Sequence, residues 1–490
     1  MNGYRAIRTR TSDWFAGPSE LQEALAAPPC VLLESARPGR STGRYSILAD
    51  DPFMVFRYEQ GHLNISGPAF EPKRFVTRDP FGALQALVRS YRVPASADLP
   101  PFATGAIGYF SYECKDYLLP RTGSRFREES VVPEMYFLFC DRAVVWDHRD
   151  RRLIFCQAEI PGIPKRPYRP LQAWESECRR AVACRKKNRR AAPELEQRSS
   201  MEIHCSMRAD QYETAVRKAQ QYISAGEIFQ SNLTHRLSFE LHLHAREAYR
   251  RLKAVNPSPF FGLLEAEDFN IVSGSPERLL RLRGPALETR PIAGTRKRGR
   301  DWKQDEALST ELLLSEKERA EHVMLVDLER NDLGRVCEFG SVHVNELMTL
   351  ENYSHVKHIV SNVRGTLRVG LDAFDALGAF FPGGTITGAP KIRCMQIIDE
   401  LETVARGPYT GSLGYFSFTG DMDFNILIRS LVVKDGIASL HVGAGIVADS
   451  DPTREYHETL YKAEAVLQAV FGRRNVHEFF AERGLAARVS

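Results

Sequence analysis

Two pairs of glutamates carry the first chemical signal. Glu318 and Glu321, in Glu-Arg-Ala-Glu-His, stand three residues apart, and so do Glu455 and Glu458, in Glu-Tyr-His-Glu-Thr-Leu-Tyr-Lys. Residues three or four apart on a helix share a face, and Lys462 lies four beyond Glu458. Two helices presenting carboxylates inward would make an all-oxygen site that suits magnesium rather than zinc or copper. Magnesium takes one or two carboxylates and leaves the rest to water and an anionic substrate. Solvated helix faces also fit this spacing.

Glycine-rich segments are the second signal. Phe381-Pro-Gly-Gly-Thr-Ile-Thr-Gly-Ala-Pro-Lys391 leads into a helical pattern, so its backbone amides could approach an anion. It is not a P-loop, because Ala389-Pro390 stands where that motif has Gly-Lys-Ser/Thr. Val442-Gly-Ala-Gly-Ile446 lacks the third glycine of a dinucleotide fingerprint. Tight turns explain both segments as well. Arg429, in a strand-like Ile-Leu-Ile-Arg-Ser, could pair with a carboxylate in bidentate fashion. His242 and His244 read as a surface pair on a strand, and His358, in an apolar stretch, as a satisfied core histidine. No Gly-x-Ser-x-Gly elbow or reactive-cysteine signature supports nucleophilic hydrolysis.

The elements that must position these groups follow from periodicity. Before residue 160, short apolar runs read as strands: Cys30–Leu33, Tyr45–Leu48, Phe53–Tyr58, Ala106–Tyr112, Met135–Trp146 and Arg152–Cys156. One helix interrupts them, from Pro80 to Tyr91. Four prolines between 161 and 170 and a basic stretch from Glu177 to Arg190 read as a connector with a solvated face. Beyond Met207 strands alternate with helices. A first helix is capped by Asp210; others cover Ser315–Leu328, Ile392–Leu401 and Glu455–Phe471.

Composition narrows the class. Apolar residues make up 43% and charged ones 26% of 490, ordinary for a globular chain that needs no disulfide to fold. A net charge of +4 argues against a dedicated nucleic-acid binder. No apolar run is long enough to span a bilayer, and no signal peptide is recognisable. Nine scattered cysteines without a CxxC pair point to a reducing, cytoplasmic setting.

Five ordered motifs then carry a resemblance: Pro291-Ile-Ala-Gly-Thr-Arg296, the long run from Ala320 to Arg335, the Phe381–Lys391 loop, Arg406-Gly-Pro-Tyr-Thr-Gly411 and Gly443-Ala-Gly-Ile446. Together they resemble the chorismate-utilising enzymes, and more narrowly the large synthase subunits of anthranilate synthase and aminodeoxychorismate synthase. Leu32-Leu-Glu-Ser35 and Gly43-Arg-Tyr-Ser46 extend the likeness into the N-terminal part. The resemblance implies an α+β fold, two large antiparallel sheets in a sandwich flanked by helices. It divides the chain into an N-terminal region (1–160), a basic connector (161–206), a chorismate-binding catalytic domain (207–473) and a tail (474–490). It also implies magnesium, chorismate as substrate, and ammonia delivered by a separate glutamine amidotransferase subunit.

Roles follow from the same resemblance. Glu321 and Glu458 match the magnesium ligands, with Glu318 and Glu455 supporting through water. Glu277 matches the general acid that protonates the departing hydroxyl. Arg429 and Tyr409, with the backbone of Gly443, Ala444 and Gly445, would hold the enolpyruvyl carboxylate; Gly294, Thr295 and Thr385 would line the ring. His358 matches a histidine implicated in the chemistry, and Lys462 would orient carboxylates. Gln230 stands where water-adding relatives carry a lysine base; an amide cannot deprotonate water, so Gln230 points to amination. Ala293 resembles anthranilate synthases. The Thr385–Lys391 segment, Leu328-Glu-Arg-Asn-Asp332, Ile359-Val-Ser-Asn362 and Asp50-Asp-Pro52 resemble the aminodeoxychorismate branch, which feeds 4-aminobenzoate and folate synthesis. Glu34 and Ser35, with Pro259, Phe260 and Tyr415, resemble a tryptophan pocket, either a feedback site or a retained packing site.

Overall fold

Within the computed structural model the described residues are 7–35, 43–68, 70–119, 122–123, 130–160, 170–188, 202–352 and 356–481. They form two twelve-stranded sheets in which every pairing is antiparallel. The stretches before residue 160 and after 207 contribute to both sheets. Cys30–Glu34 pairs with Phe260–Glu265 in the first, and Gly105–Phe110 with Ser412–Ser417 in the second.

The sheets pack face to face. Val31, Ile47, Val145, Leu264 and Ile271 from the first interdigitate with Ile107, Leu138, Leu413 and Tyr415 from the second, all buried. Alternation supplies this face: in a strand every second side chain points the same way. The outer face of the first sheet is covered by helices that include Pro452–Phe471 and Ala245–Val255; Glu316–Gly334 and Ala373–Phe380 cover the second. The fold is thus the α+β sandwich that the resemblance implies.

Several local expectations change. The run Met135–Trp146 is two strands, Met135–Cys140 in the second sheet and Arg142–Asp147 in the first, with the chain crossing between sheets at Asp141. Periodicity cannot reveal the break, because both halves are buried on both faces. Asp210 is not the cap of its helix: Ala209–Ser224 is capped by Arg208, and Asp210 lies inside the first turn, ion-paired to Arg208. His242 and His244 are exposed but off the strand, which ends at Glu240; His244 caps Ala245–Val255, its Nδ1 accepting from the Arg246 N–H.

The connector region holds the helix Leu171–Asn188, and it is not wholly solvated. Trp174, Cys178 and Val182 are buried in the core, and Glu175 accepts from Arg10, Ser12 and Arg179. The tail begins as the helix Arg473–Ala481, whose Val476, Phe479 and Phe480 are buried; 482–490 lie outside the described residues. All nine cysteines are free, and among the described residues no helix is long and apolar enough to cross a membrane. Leu138 is fully buried between the sheets. Leu138→Ala is expected to cost about 2–5 kcal/mol, read as a lowered urea midpoint.

Candidate active site

Glu277 sits where the chain turns out of the strand Phe269–Ser275 into Arg278–Arg283, crossing from one sheet to the other. Its carboxylate accepts from Thr385 Oγ1 at 2.9 Å. Thr385 is carried by the 3-10 turn Gly384–Ile386. Burial pushes the Glu277 carboxyl up to about 7, against the opposing effects of Thr385, the Ile292 backbone and Arg429. A carboxyl held protonated near neutrality is what a general acid requires.

Arg429 is not in a strand. Residues 426–429 link Met422–Asn425 in the second sheet to Ser430–Lys434 in the first, and Arg429 has φ 52°. A non-glycine residue in the left-handed region is strained and is kept there by its surroundings. From that bend its charge acts on both Glu277 and His358. His358, on the strand Val356–Thr366, is buried and pushed down to about 3 by burial and by Arg429. Its Nδ1 lies 3.2 Å from the Gly294 carbonyl. A carbonyl only accepts, so Nδ1 carries the proton and Nε2 the lone pair. Gly294 itself has φ 63°, and a Cβ there would come within 2.9 Å of Glu318 Oε2. The Thr295 side chain lies outside the described residues.

Gln230 opens the strand Gln230–Glu240, and its amide Nε2 donates to Glu321 Oε1 at 3.4 Å. Gly445 stands opposite the neighbouring Asn232, and a Cβ on it would fall 2.7 Å from that amide. Gly443, Ala444 and Gly445 therefore lie in a strand, Ile437–Ile446, rather than in a turn. Lys462 reaches from the helix Pro452–Phe471 to donate to the Gly443 carbonyl at 2.9 Å and pairs with Glu458 at 2.9 Å.

The four glutamates are positioned by two capped helices. Ser315 caps Glu316–Gly334, and Asp451 caps Pro452–Phe471, with Pro452 in the first turn. Among the described residues no three acidic, histidine or cysteine side chains converge as a ligand set. Glu318 pairs with Arg296 and Glu455 accepts from Ser450. Glu321, however, is raised by burial and then by the like charges of Glu318 and Glu458, only partly offset by Gln230 and Lys462. A cation there would relieve that repulsion, and two carboxylates are enough for magnesium. The donor set fits.

A buried ion pair at this end of the sandwich escaped the sequence reading, although its residue opens a quoted motif. Arg406 pairs with Glu402 at 2.5 Å, and both are buried. Its guanidinium also donates to the carbonyls of Ile386 at 3.0 Å and Asn232 at 2.7 Å. Tyr409, three residues on, is buried with its ring stacked on His441. Glu329 was also missed as a separate group: it is buried, pushed up to about 8 by burial and Asp332, and its Oε1 lies 3.7 Å from where a Cβ on Gly384 would be.

A separate cavity of about 470 Å³ lies between the sheets. Glu34, Ser35, Pro259, Phe260 and Tyr415 all line it. Arg278 crosses its wall, stacked over Phe260 and paired with Asp423 and Glu288. Glu34 accepts from Tyr249 at 2.8 Å and pairs with Lys253 at 2.5 Å. The space is of a size that could take a small ligand.

The fold and site together define a class. The sequence pattern of the family described as chorismate binding enzyme matches residues 28–468, and the chain belongs to that family. It is a chorismate-utilising enzyme. It is 43% identical over 449 residues to aminodeoxychorismate synthase component 1 of Bacillus subtilis, covering 90% of this chain and 91% of that protein. It is 41% identical over 457 residues to anthranilate synthase component 1 of Acetivibrio thermocellus, covering 90% of each. Among solved structures, anthranilate synthase component I from Streptococcus pneumoniae TIGR4 superposes with a TM-score of 0.72 at 34% identity, covering 88% of this chain and 95% of that one.

Two outcomes follow. Glu277 has its folded value, about 7, above the ordinary glutamate value of 4.5, so it binds more protons folded than unfolded between those values. Its burial is therefore tolerated below pH 4.5 and costs stability progressively as pH rises through 7. Relative to wild type, Glu277→Gln should gain stability with rising pH, by up to about 3 kcal/mol at pH 8, measured by denaturant titration at several pH values. Arg406→Met strands the Glu402 carboxylate and should cost about 3–5 kcal/mol; the double variant with Glu402→Met should recover part of it in a thermal-melt cycle.

Proposed function

We propose that this enzyme aminates chorismate to 4-amino-4-deoxychorismate, with ammonia supplied by a glutamine amidotransferase partner, for 4-aminobenzoate and folate synthesis. One observation carries the amination: the group placed beside Glu321 is the Gln230 amide, which has no basic nitrogen. Attack by water would need a base there, whereas ammonia brings its own lone pair. The free cysteines fit a reducing cytoplasm.

The chain's residues divide the work. Arg429 and Tyr409 hold the enolpyruvyl carboxylate, assisted by the Gly443–Gly445 backbone. Gly294 and Thr385 line the ring. Glu321 and Glu458 would hold magnesium, with Glu318 and Glu455 behind them, and the ion when bound supplies Lewis-acid polarisation of the ring carboxylate. Lys462 keeps Glu458 oriented. Glu277, protonated by burial and aimed by Thr385, gives its proton to the ring hydroxyl, whose C–O bond breaks with its electron pair and leaves as water. The ammonia lone pair forms the C–N bond, and the surplus proton on nitrogen is released, balancing the one Glu277 gave. His358, kept neutral by burial and by Arg429 and facing the Gly294 carbonyl through Nδ1, brings no second positive charge to the site.

The para position of the new amine is supported by Thr385 and the loop around it, and by the likeness to the Bacillus subtilis protein. A second reading, anthranilate formation with loss of pyruvate, is favoured by Ala293, which is buried on the strand Ile292–Lys297. The cavity holding Glu34 and Tyr415 suits a tryptophan-sized effector under either reading.

A product assay decides between them. The chain is incubated with chorismate, magnesium and ammonia, and half the mixture receives aminodeoxychorismate lyase. 4-Aminobenzoate forming only with the lyase is the expected result; fluorescent anthranilate without it would establish the second reading. Glu321→Ala should abolish turnover in the same assay, and retained activity would remove Glu321 from the ligand set.

A further inference from the structure

We infer that Gln230 Oε1 and Asn232 Oδ1 together form the seat that binds and orients the incoming ammonia, an inference resting on the amination reading above. Alternate residues of a strand share a face, so Gln230 and Asn232 project to the same side of Gln230–Glu240. Asn232 pairs with Gly445 and Thr234 with Gly443, which puts both glycines on that face too.

Both amide oxygens are buried and have no hydrogen-bond partner among the described residues. Buried acceptors are nearly always satisfied, so two neighbours left open on one face call for a donor from outside the chain. Rotating the Gln230 amide does not help. Its Nε2 must face the Glu321 carboxylate, because a carboxylate only accepts, and this turns Oε1 away from it. The Asn232 backbone is fixed from two sides, its N–H donating to the Thr387 carbonyl and its own carbonyl accepting from Arg406. The floor is kept bare: a Cβ on Gly445 would fall 2.7 Å from the Gln230 amide nitrogen, and one on Gly443 would fall 2.8 Å from Asn232 Oδ1.

The donor that fits is small and carries several N–H groups. Ammonia has three and one lone pair. Two amide oxygens take two N–H groups and leave the lone pair free to point at the ring. As the C–N bond forms, nitrogen becomes positive and the same two oxygens stabilise it without taking a proton. Water in that seat would become a strongly acidic oxonium on attack, and neither amide can relieve it.

The test is steady-state kinetics of the full chain with magnesium, using ammonium chloride as the nitrogen source at fixed pH and varying each substrate in turn. Asn232→Leu removes one acceptor and should raise KM for ammonia about 5–10-fold, the loss of one hydrogen bond, with KM for chorismate unmoved. Asn232→Asp keeps an oxygen in place and should restore KM for ammonia to within about twofold of wild type. An unchanged KM for ammonia in Asn232→Leu, a parallel rise in both KM values, or an Asn232→Asp that behaves like the leucine variant would each overturn the inference. Should Asn232→Leu not fold, Asn232→Ala is read in the same way. Wild-type chain without ammonia-dependent consumption of chorismate would remove the amination reading and this inference with it. Ammonia-dependent turnover with an unmoved KM in the variants removes the inference alone.

Discussion

The contact on which the site depends most is the Arg406 guanidinium in its buried cradle. Glu402 neutralises it, and its other donors reach the Ile386 and Asn232 carbonyls and the Thr410 hydroxyl. The first of these belongs to the turn that carries Thr385, and the second to the strand that carries Gln230. Glu402 in turn accepts from the Thr234 N–H and hydroxyl, and Glu113 from the N–H groups of Arg406 and Gly407. A buried charge has few alternative ways to be satisfied, so a cradle of this kind fixes geometry even where it adds little net stability. Tyr409 hangs from the same loop, three residues beyond the guanidinium.

Burial decides the protonation states around it. Glu277 and Glu329 are both pushed up by loss of water, Glu329 further because Asp332 lies beside it. Lys391, ion-paired to Asp332 at 2.5 Å, partly offsets that negative charge. His358 is driven the other way and stays neutral. The result is a proton donor and a neutral histidine under the charge of the cationic Arg429, while Glu318 and Glu321 lie on the helix Glu316–Gly334 that also carries Glu329. The strained backbone at Arg429 belongs to this arrangement, since the chain changes sheets there and its charge acts on both Glu277 and His358.

Much of this was legible before any coordinates. Apolar periodicity and the three-residue glutamate spacing placed helices at Ser315–Leu328 and Glu455–Phe471, within the observed Glu316–Gly334 and Pro452–Phe471 but for Ser315, because those signals are local. The motif resemblance located Glu277, Thr385, His358 and Arg429 as one group. Other features were hidden. Met135–Trp146 read as one strand because both halves are buried, and the change of sheet at Asp141 leaves no period to detect. Arg429 read as strand because isoleucine and leucine precede it, although the left-handed bend is imposed by tertiary contacts. Arg406 and Glu402 are four apart, which on sequence alone resembles any surface ion pair.

The sequence by itself determined the alternation that builds two sheets, the caps that start the two glutamate helices, and the residue types able to do acid, carboxylate-binding and cation-binding chemistry. These are properties of neighbours along the chain. Only the tertiary structure decided which carboxyl is protonated, which amide oxygens are left without partners, and that the five residues around Glu34 and Tyr415 line a space. Each of these depends on exclusion of water by segments hundreds of residues apart, and desolvation is set by the packed whole rather than by any local stretch.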